Sequence, residues 1–104
     1  MTKINYSKNS IPELIELAQN KDIKALEQLI RVIQNDNYTI FSHLTNYKDD
    51  VSDLTQETLL KMAKALHTLK DKSKFKPWLN QIITHVFFDY NRRRNKKLIE
   101  LDDK

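Results

Sequence analysis

The chain has no cysteine, no glycine, two prolines and a single tryptophan among its 104 residues. Each shortage excludes a class of protein. Without cysteine there can be no disulfide, no thiolate-bound zinc and no cysteine nucleophile. That usage suits a reducing compartment, and a cytoplasmic location is expected. Without glycine the phosphate-cradling loops of nucleotide-binding enzymes cannot be built. Hairpin turns also lose the residue that takes positive φ most cheaply. A helical protein is favoured before any window is inspected. No run of about 18 apolar residues occurs, so no membrane span is expected. Met1 to Tyr6 lacks the apolar segment of a secretory signal.

What is present is a small, highly charged chain. It is 39% hydrophobic and 31% charged, with net charge +4. That is apolar material for one core. The charge is uneven: Lys70 to Lys97 holds nine basic and two acidic residues, the remainder nine basic and twelve acidic. One end suits a polyanion and the rest does not. A basic helix end that only aids solubility is the bland reading of the same pattern.

The apolar spacing is helical throughout. Ser10-Ile11-Pro12-Glu13 reads as a capping box with proline in the first turn. Leu14, Leu17 and Ala18 follow as a short stripe, and Asp22 is the next cap. Ala25, Leu26, Leu29, Ile30 and Ile33 form one face of a second helix. Gln34 to Asn37 reads as a turn, with Tyr38, Ile40, Phe41 and Leu44 on a short inward-packing helix after it. Asn46 to Asp50 reads as a loop. A helix from Ser52 to Leu69 has Leu59, Met62, Ala63, Leu66 and Leu69 as its core stripe. On another of its faces lie Asp53, Gln56, Glu57 and Leu60, which leaves a leucine among polar groups. A basic loop, Lys70 to Lys74, leads with Ser73 as cap into a last helix over 75–96. Phe75, Trp78, Leu79, Ile82, Val86 and Tyr90 line that helix, widened by Ile83 and Phe87. The expected fold is all-α, a compact bundle of four to five helices with a long C-terminal helix. Residues 1–9 are expected as a tail, 10–97 as the domain, and 98–104 as the start of a linker or tail.

Catalytic patterns are missing. His43, His67 and His85 fall on different elements with no metal-ligand spacing. Neither a metal nor a cofactor is expected, and the chain does not read as an enzyme. Asp49, Asp50 and Asp53 make one acidic cluster, which reads more simply as helix-start acids than as a magnesium site.

Three segments together carry more. Asp53-Leu54-Thr55-Gln56-Glu57 precedes the basic loop. Phe75-Lys76-Pro77-Trp78-Leu79-Asn80-Gln81-Ile82 follows it, and Asp89-Tyr90-Asn91-Arg92-Arg93-Arg94 comes next. This order resembles region 2 of bacterial sigma-70 factors, most closely the extracytoplasmic-function (ECF) group. That group shows D-L-x-Q-E, F-x-x-W-L-x-x-I and D-Y-x-R-R in the same order. Asp22-Ile23-Lys24-Ala25-Leu26-Glu27 is similar to its D-x-x-A-hydrophobic-E opening.

The resemblance implies a transcription initiation factor domain that docks on core RNA polymerase and opens the promoter −10 element. It implies that Asp53, Gln56, Glu57 and Leu60 bind the clamp helices of the polymerase β′ subunit. It implies DNA contacts, on the −10 non-template strand, from Lys72, Lys74, Phe75, Lys76, Asn80, Gln81, Thr84, His85, Asn91, Arg92, Arg93 and Arg94. Phe75 would stack on or line a pocket for a flipped base, and the arginines would hold phosphate. An anti-sigma factor is a further implied partner. The chain departs from the family pattern at His85, often asparagine there, and at Phe87, usually small. Region 4, the −35 reader of a full ECF factor, is not in this sequence. Two other readings stay open on sequence alone: a non-sigma helical interaction module or polymerase-binding regulator, and a magnesium-dependent nuclease on Asp49, Asp50 and Asp53.

Overall fold

A computed structural model describes residues 9–102. Four α-helices account for nearly all of them: α1 (Ile11–Gln19), α2 (Ile23–Leu44), α3 (Lys48–Ala65) and α4 (Phe75–Asp102). Two single 3-10 turns, Leu66–Thr68 and Lys72–Lys74, lie between α3 and α4. No strand occurs among the described residues.

The first helix starts where the capping box lies. Ser10 Oγ accepts from the Glu13 N–H at 3.4 Å, and the Ser10 N–H donates back to Glu13 Oε1 at 3.4 Å. The helix ends in a Schellman motif: the Asp22 N–H reaches the Leu17 carbonyl and the Lys21 N–H the Ala18 carbonyl, both at 3.0 Å. The left-handed position of that motif usually holds glycine. Here Lys21 occupies it, with φ of 70°. Asp22 then caps α2, accepting from the Ala25 N–H at 3.2 Å.

The turn expected at Gln34 to Asn37 is absent, and α2 runs unbroken for 22 residues. Ala25, Leu29, Ile33, Asn37 and Phe41 are all buried, at unbroken i+4 spacing. The polar run Gln34-Asn35-Asp36 is the outer face of one helix, with no glycine or proline to end it. The short inward-packing helix is therefore corrected as well: Phe41 is buried, while Tyr38, Ile40 and Leu44 are exposed.

The connection to α3 shrinks from the expected Asn46 to Asp50 to three residues, 45–47. Asp49 and Asp50 lie in the first turn, where carboxylates complement the helix dipole. The buried side chains of α3 are Val51, Leu54, Thr55, Thr58 and Met62. Both threonine hydroxyls donate to carbonyls one turn back, Thr55 to Val51 at 2.8 Å and Thr58 to Leu54 at 2.9 Å, so they are buried without loss. Of the expected stripe, Met62, Leu66 and Leu69 are buried, and Leu59 and Ala63 only half-buried. The helix proper ends at Ala65 rather than Leu69. Gln19 holds the turn that follows, its Nε2 donating to the carbonyls of Leu66 at 3.0 Å and Leu69 at 2.8 Å.

α1 packs on α2, α2 on α3 and α3 on α4. The core joins Leu14, Leu29, Phe41, Met62, Phe75 and Val86 with their neighbours. α4 has 28 residues and is about 42 Å long. It carries on past the expected end at residue 96 to Asp102. The radius of gyration is 16.5 Å, above the roughly 13 Å of a compact 100-residue domain, because one helix is far longer than the bundle around it.

Candidate functional site

The outer face of α3 is built as its spacing predicts. Asp53, Gln56 and Leu60 are exposed and Glu57 is half-buried, all at i, i+3, i+4 and i+7. Leu60 is 62% exposed. Glu57 is engaged on both sides, with Lys61 Nζ at 3.9 Å along the helix and Arg93 at 3.9 Å across from α4.

The loop between α3 and α4 is held by its own chemistry. Asp71 accepts from the Ser73 hydroxyl at 2.6 Å and from the Ser73 N–H at 3.0 Å. These bonds hold the Asp71 carboxyl below its usual 3.8, against a small opposing effect of burial. Asp71 thus caps the 3-10 turn Lys72–Lys74 that leads into α4. Lys74 and Lys76 point to solvent and Lys72 is half-buried. Phe75 corrects the expectation of a stacking face. It is 3% exposed, and its ring sits 6.0 Å from that of Trp78. It anchors the loop in the core from below.

The expected DNA residues of α4 do not form one row. Asn80 and Lys76 border a cleft of about 140 Å³ shared with α2. His85 borders a different hollow, shared with α3, with Lys61, Phe88, Asp89 and Arg92. Five residues of helix separate Asn80 from His85, a rotation of about 140°. Gln81, Thr84, His85 and Arg92 are all exposed along the outer side of α4, and Asn91 is half-buried.

The three arginines differ. Arg92 is exposed and paired with Asp89, one turn back. Arg93 pairs with Glu57 and donates through Nε to the Asp89 carbonyl at 3.3 Å. Arg94 is the least free. It pairs with Asp50 at 3.6 Å and lies over the Tyr47 ring, 3.5 Å from its centroid. The Tyr90 hydroxyl donates to the same Asp50 at 2.7 Å and shares a 3.2 Å hydrogen bond with Thr45. Partial burial, with the Asp50 carboxylate beside it, pushes the Tyr90 phenol above its usual 10.0, so the group is a donor at neutral pH. The result is an open groove of about 440 Å³, in which Asp50, Asp53 and Glu57 of α3 face Arg93, Arg94 and Lys97 of α4. Acidic face and arginine tract, separate in sequence, meet in space. Among the described residues no group of acidic, histidine or cysteine side chains is disposed to hold a metal ion.

The sequence that builds this surface falls within a known family. Residues 29–97 match the Sigma-70 region 2 family. The chain belongs to that family. It is 33% identical over 78 residues to the ECF RNA polymerase sigma factor SigM of Bacillus subtilis (strain 168), covering 75% of this chain and 47% of that protein. It is 30% identical over 74 residues to the ECF RNA polymerase sigma factor SigE of Mycolicibacterium smegmatis (strain ATCC 700084 / mc(2)155), covering 71% of this chain and 28% of that protein. The chain thus spans about half the length of the first relative and little more than a quarter of the second. No solved structure matches it.

In this sigma region 2 chain, sequence reasoning passed over several residues that the structure brings forward. Phe88 is 64% exposed, in line with His85 and Arg92. Its i+3 and i−4 spacing from those two was a usable signal. Lys61 reaches the same hollow from α3. Tyr47 and Asp50 carried no signal for holding Arg94, because their contact joins residues more than forty positions apart. No helix among the described residues is long and apolar enough to cross a membrane.

Proposed function

We propose that this chain is the polymerase-docking and −10-engaging part of an ECF-type transcription initiation factor. It contributes binding energy while the polymerase carries out the chemistry. Residues 10–97 act as the unit, and 98–104 lead out of it. The outer face of α3 docks on the β′ clamp helices. Asp53, Gln56 and Glu57 bond cationic and amide groups of the partner there. Leu60 adds apolar contact, and burying a leucine side chain fully is worth about 1.5–3 kcal/mol. Lys72, Lys74 and Lys76 guide the −10 non-template strand at the loop. Asn80, Gln81, Thr84, His85 and Asn91 lie along α4 as candidate contacts, and Arg92 and Arg93 hold phosphate without reading sequence. An anti-sigma factor as a further partner, and a cytoplasmic site of action, complete the reading.

The observation that carries it is the coincidence of two facts. The region 2 match spans residues 29–97, and inside it the helix that bears the D-L-x-Q-E segment turns Asp53, Gln56 and, one turn further on, an otherwise unexplained Leu60 to solvent. A pull-down of bacterial core RNA polymerase tests it, with the Gln56→Ala/Glu57→Ala variant alongside. Wild-type chain is expected to retain polymerase and the variant to lose at least about tenfold in affinity, about 1.4 kcal/mol. Equal retention by a folded variant removes the α3 face from the reading. No retention by wild type favours an interaction module of another kind.

A further inference from the structure

The α4 surface carries an aromatic ring that neither the core nor the sequence motifs account for. Phe88 is 64% exposed in the middle of a polar row, with His85 one turn before it and Arg92 one turn after. A single exposed apolar residue is ordinary on a protein surface. This one is not isolated from chemistry. It forms a wall of an open hollow of about 560 Å³ whose other sides are Lys61 of α3 and His85, Asp89 and Arg92 of α4. The Lys61 side chain is 49% exposed and the Arg92 side chain 79%. The lining holds two cations against one carboxylate, and both cations sit in exposed pairs that a phosphate can replace at small cost, Arg92 with Asp89 on its own helix and Lys61 with Glu57 at 3.9 Å. An exposed ring sharing a hollow with cationic side chains is the element from which single-strand binding surfaces are made: the ring takes any base by its π face and the cations take the backbone.

We infer that this hollow holds one nucleotide of unpaired DNA, with its base stacked on Phe88 and its phosphate between Lys61 and Arg92. The inference rests on the function proposed above and adds to it a subsite with two residues, Phe88 and Lys61, outside the motif positions. Phe88 sets position without base choice, because stacking is tolerant of sequence.

The test measures binding of a short fluorescein-labelled DNA single strand to the chain at saturating core polymerase, over a series of salt concentrations. Stacking by one aromatic residue is large enough that Phe88→Ala should weaken binding at least about fivefold, with the salt slope unchanged. Phe88→Tyr keeps the ring and should restore affinity, and Phe88→Leu keeps only the apolar bulk and should not. Lys61→Ala should lower the slope of log affinity against log salt by about 0.7, the value for one phosphate on a single strand. Both residues are exposed, so the variants should melt with wild type, and melting is measured alongside. Undiminished binding by Phe88→Ala, full activity of Phe88→Leu, or an unchanged slope in Lys61→Ala overturns the inference while leaving the parent reading standing. If the wild-type complex binds polymerase but no single strand, the −10 reading itself falls and the inference with it.

Discussion

Asn37 puts a carboxamide where the helix pattern asks for a hydrocarbon. It occupies the fourth position of the buried α2 stripe, is 1% exposed, and its Nδ2 has no hydrogen-bond partner. It borders the small cleft of about 140 Å³ between α2 and α4, where its neighbours include Ile33, Phe75, Leu79 and Ile83. An unsatisfied buried amide costs about 1–3 kcal/mol, whereas leucine in the same place would add apolar contact and fill part of the cleft. Asn37→Leu is therefore expected to raise stability by about 1 kcal/mol, or about 4–8 °C in Tm for a domain of this size. Thermal unfolding followed by circular dichroism checks this, and a lower Tm would mean that the amide holds something the hydrocarbon cannot. Such a residue is hard to read from sequence. An asparagine beside Gln34, Asn35 and Asp36 looks like part of a turn, and only the i+4 register with Ile33 and Phe41 shows otherwise.

At the scale of elements, local rules decide most starts and few stops. The Ser10–Glu13 box and the Asp22 cap were legible because each is a short-range side-chain bond to nearby backbone. Ends were less legible, because a chain without glycine has no standard stop signal. α2 ran through its expected turn, and α4 ran beyond residue 96 with nothing to break it. Where α1 does stop, Lys21 takes the left-handed position at φ of 70°. That conformation costs a side-chain-bearing residue about 1–2 kcal/mol. Glycine escapes that cost but loses about 0.5–1 kcal/mol of extra freedom on folding. The first effect is the larger, so Lys21→Gly should gain about 0.5–1 kcal/mol. Denaturant unfolding should show a higher midpoint at an unchanged slope. A lower midpoint would show that the lysine side chain contributes more than its backbone costs. α3 illustrates the remaining kind of ending: it closes because Gln19 of α1 binds the carbonyls of Leu66 and Leu69, a tie nearly fifty residues long that no local pattern announces.

At the scale of the whole molecule, the acidic and basic segments form one groove, and this changes what each arginine can do. Composition gave the basic end correctly, and the motifs placed it in the right family. Neither separates a cation that is available from one already in use. Arg92 is the most exposed of the three and its partner Asp89 lies on its own helix, so a phosphate can replace that pair at small cost. Arg94 ties α4 to the start of α3 through Asp50 and the Tyr47 ring, in a cluster that also engages Tyr90 and Thr45. A half-exposed ion pair and a ring contact are together worth about 1 kcal/mol. The two substitutions should therefore part company. Arg92→Gln should leave Tm unchanged and lower the salt slope of single-strand binding by the polymerase complex by about 0.7. Arg94→Gln should lower Tm by several degrees, about 1 kcal/mol on the scale of a domain of this size, and move the slope little. If instead Arg94→Gln keeps the wild-type Tm and flattens the slope as Arg92→Gln does, then Asp50 and Tyr47 give up Arg94 to the DNA, and the groove between α3 and α4 opens when the strand arrives.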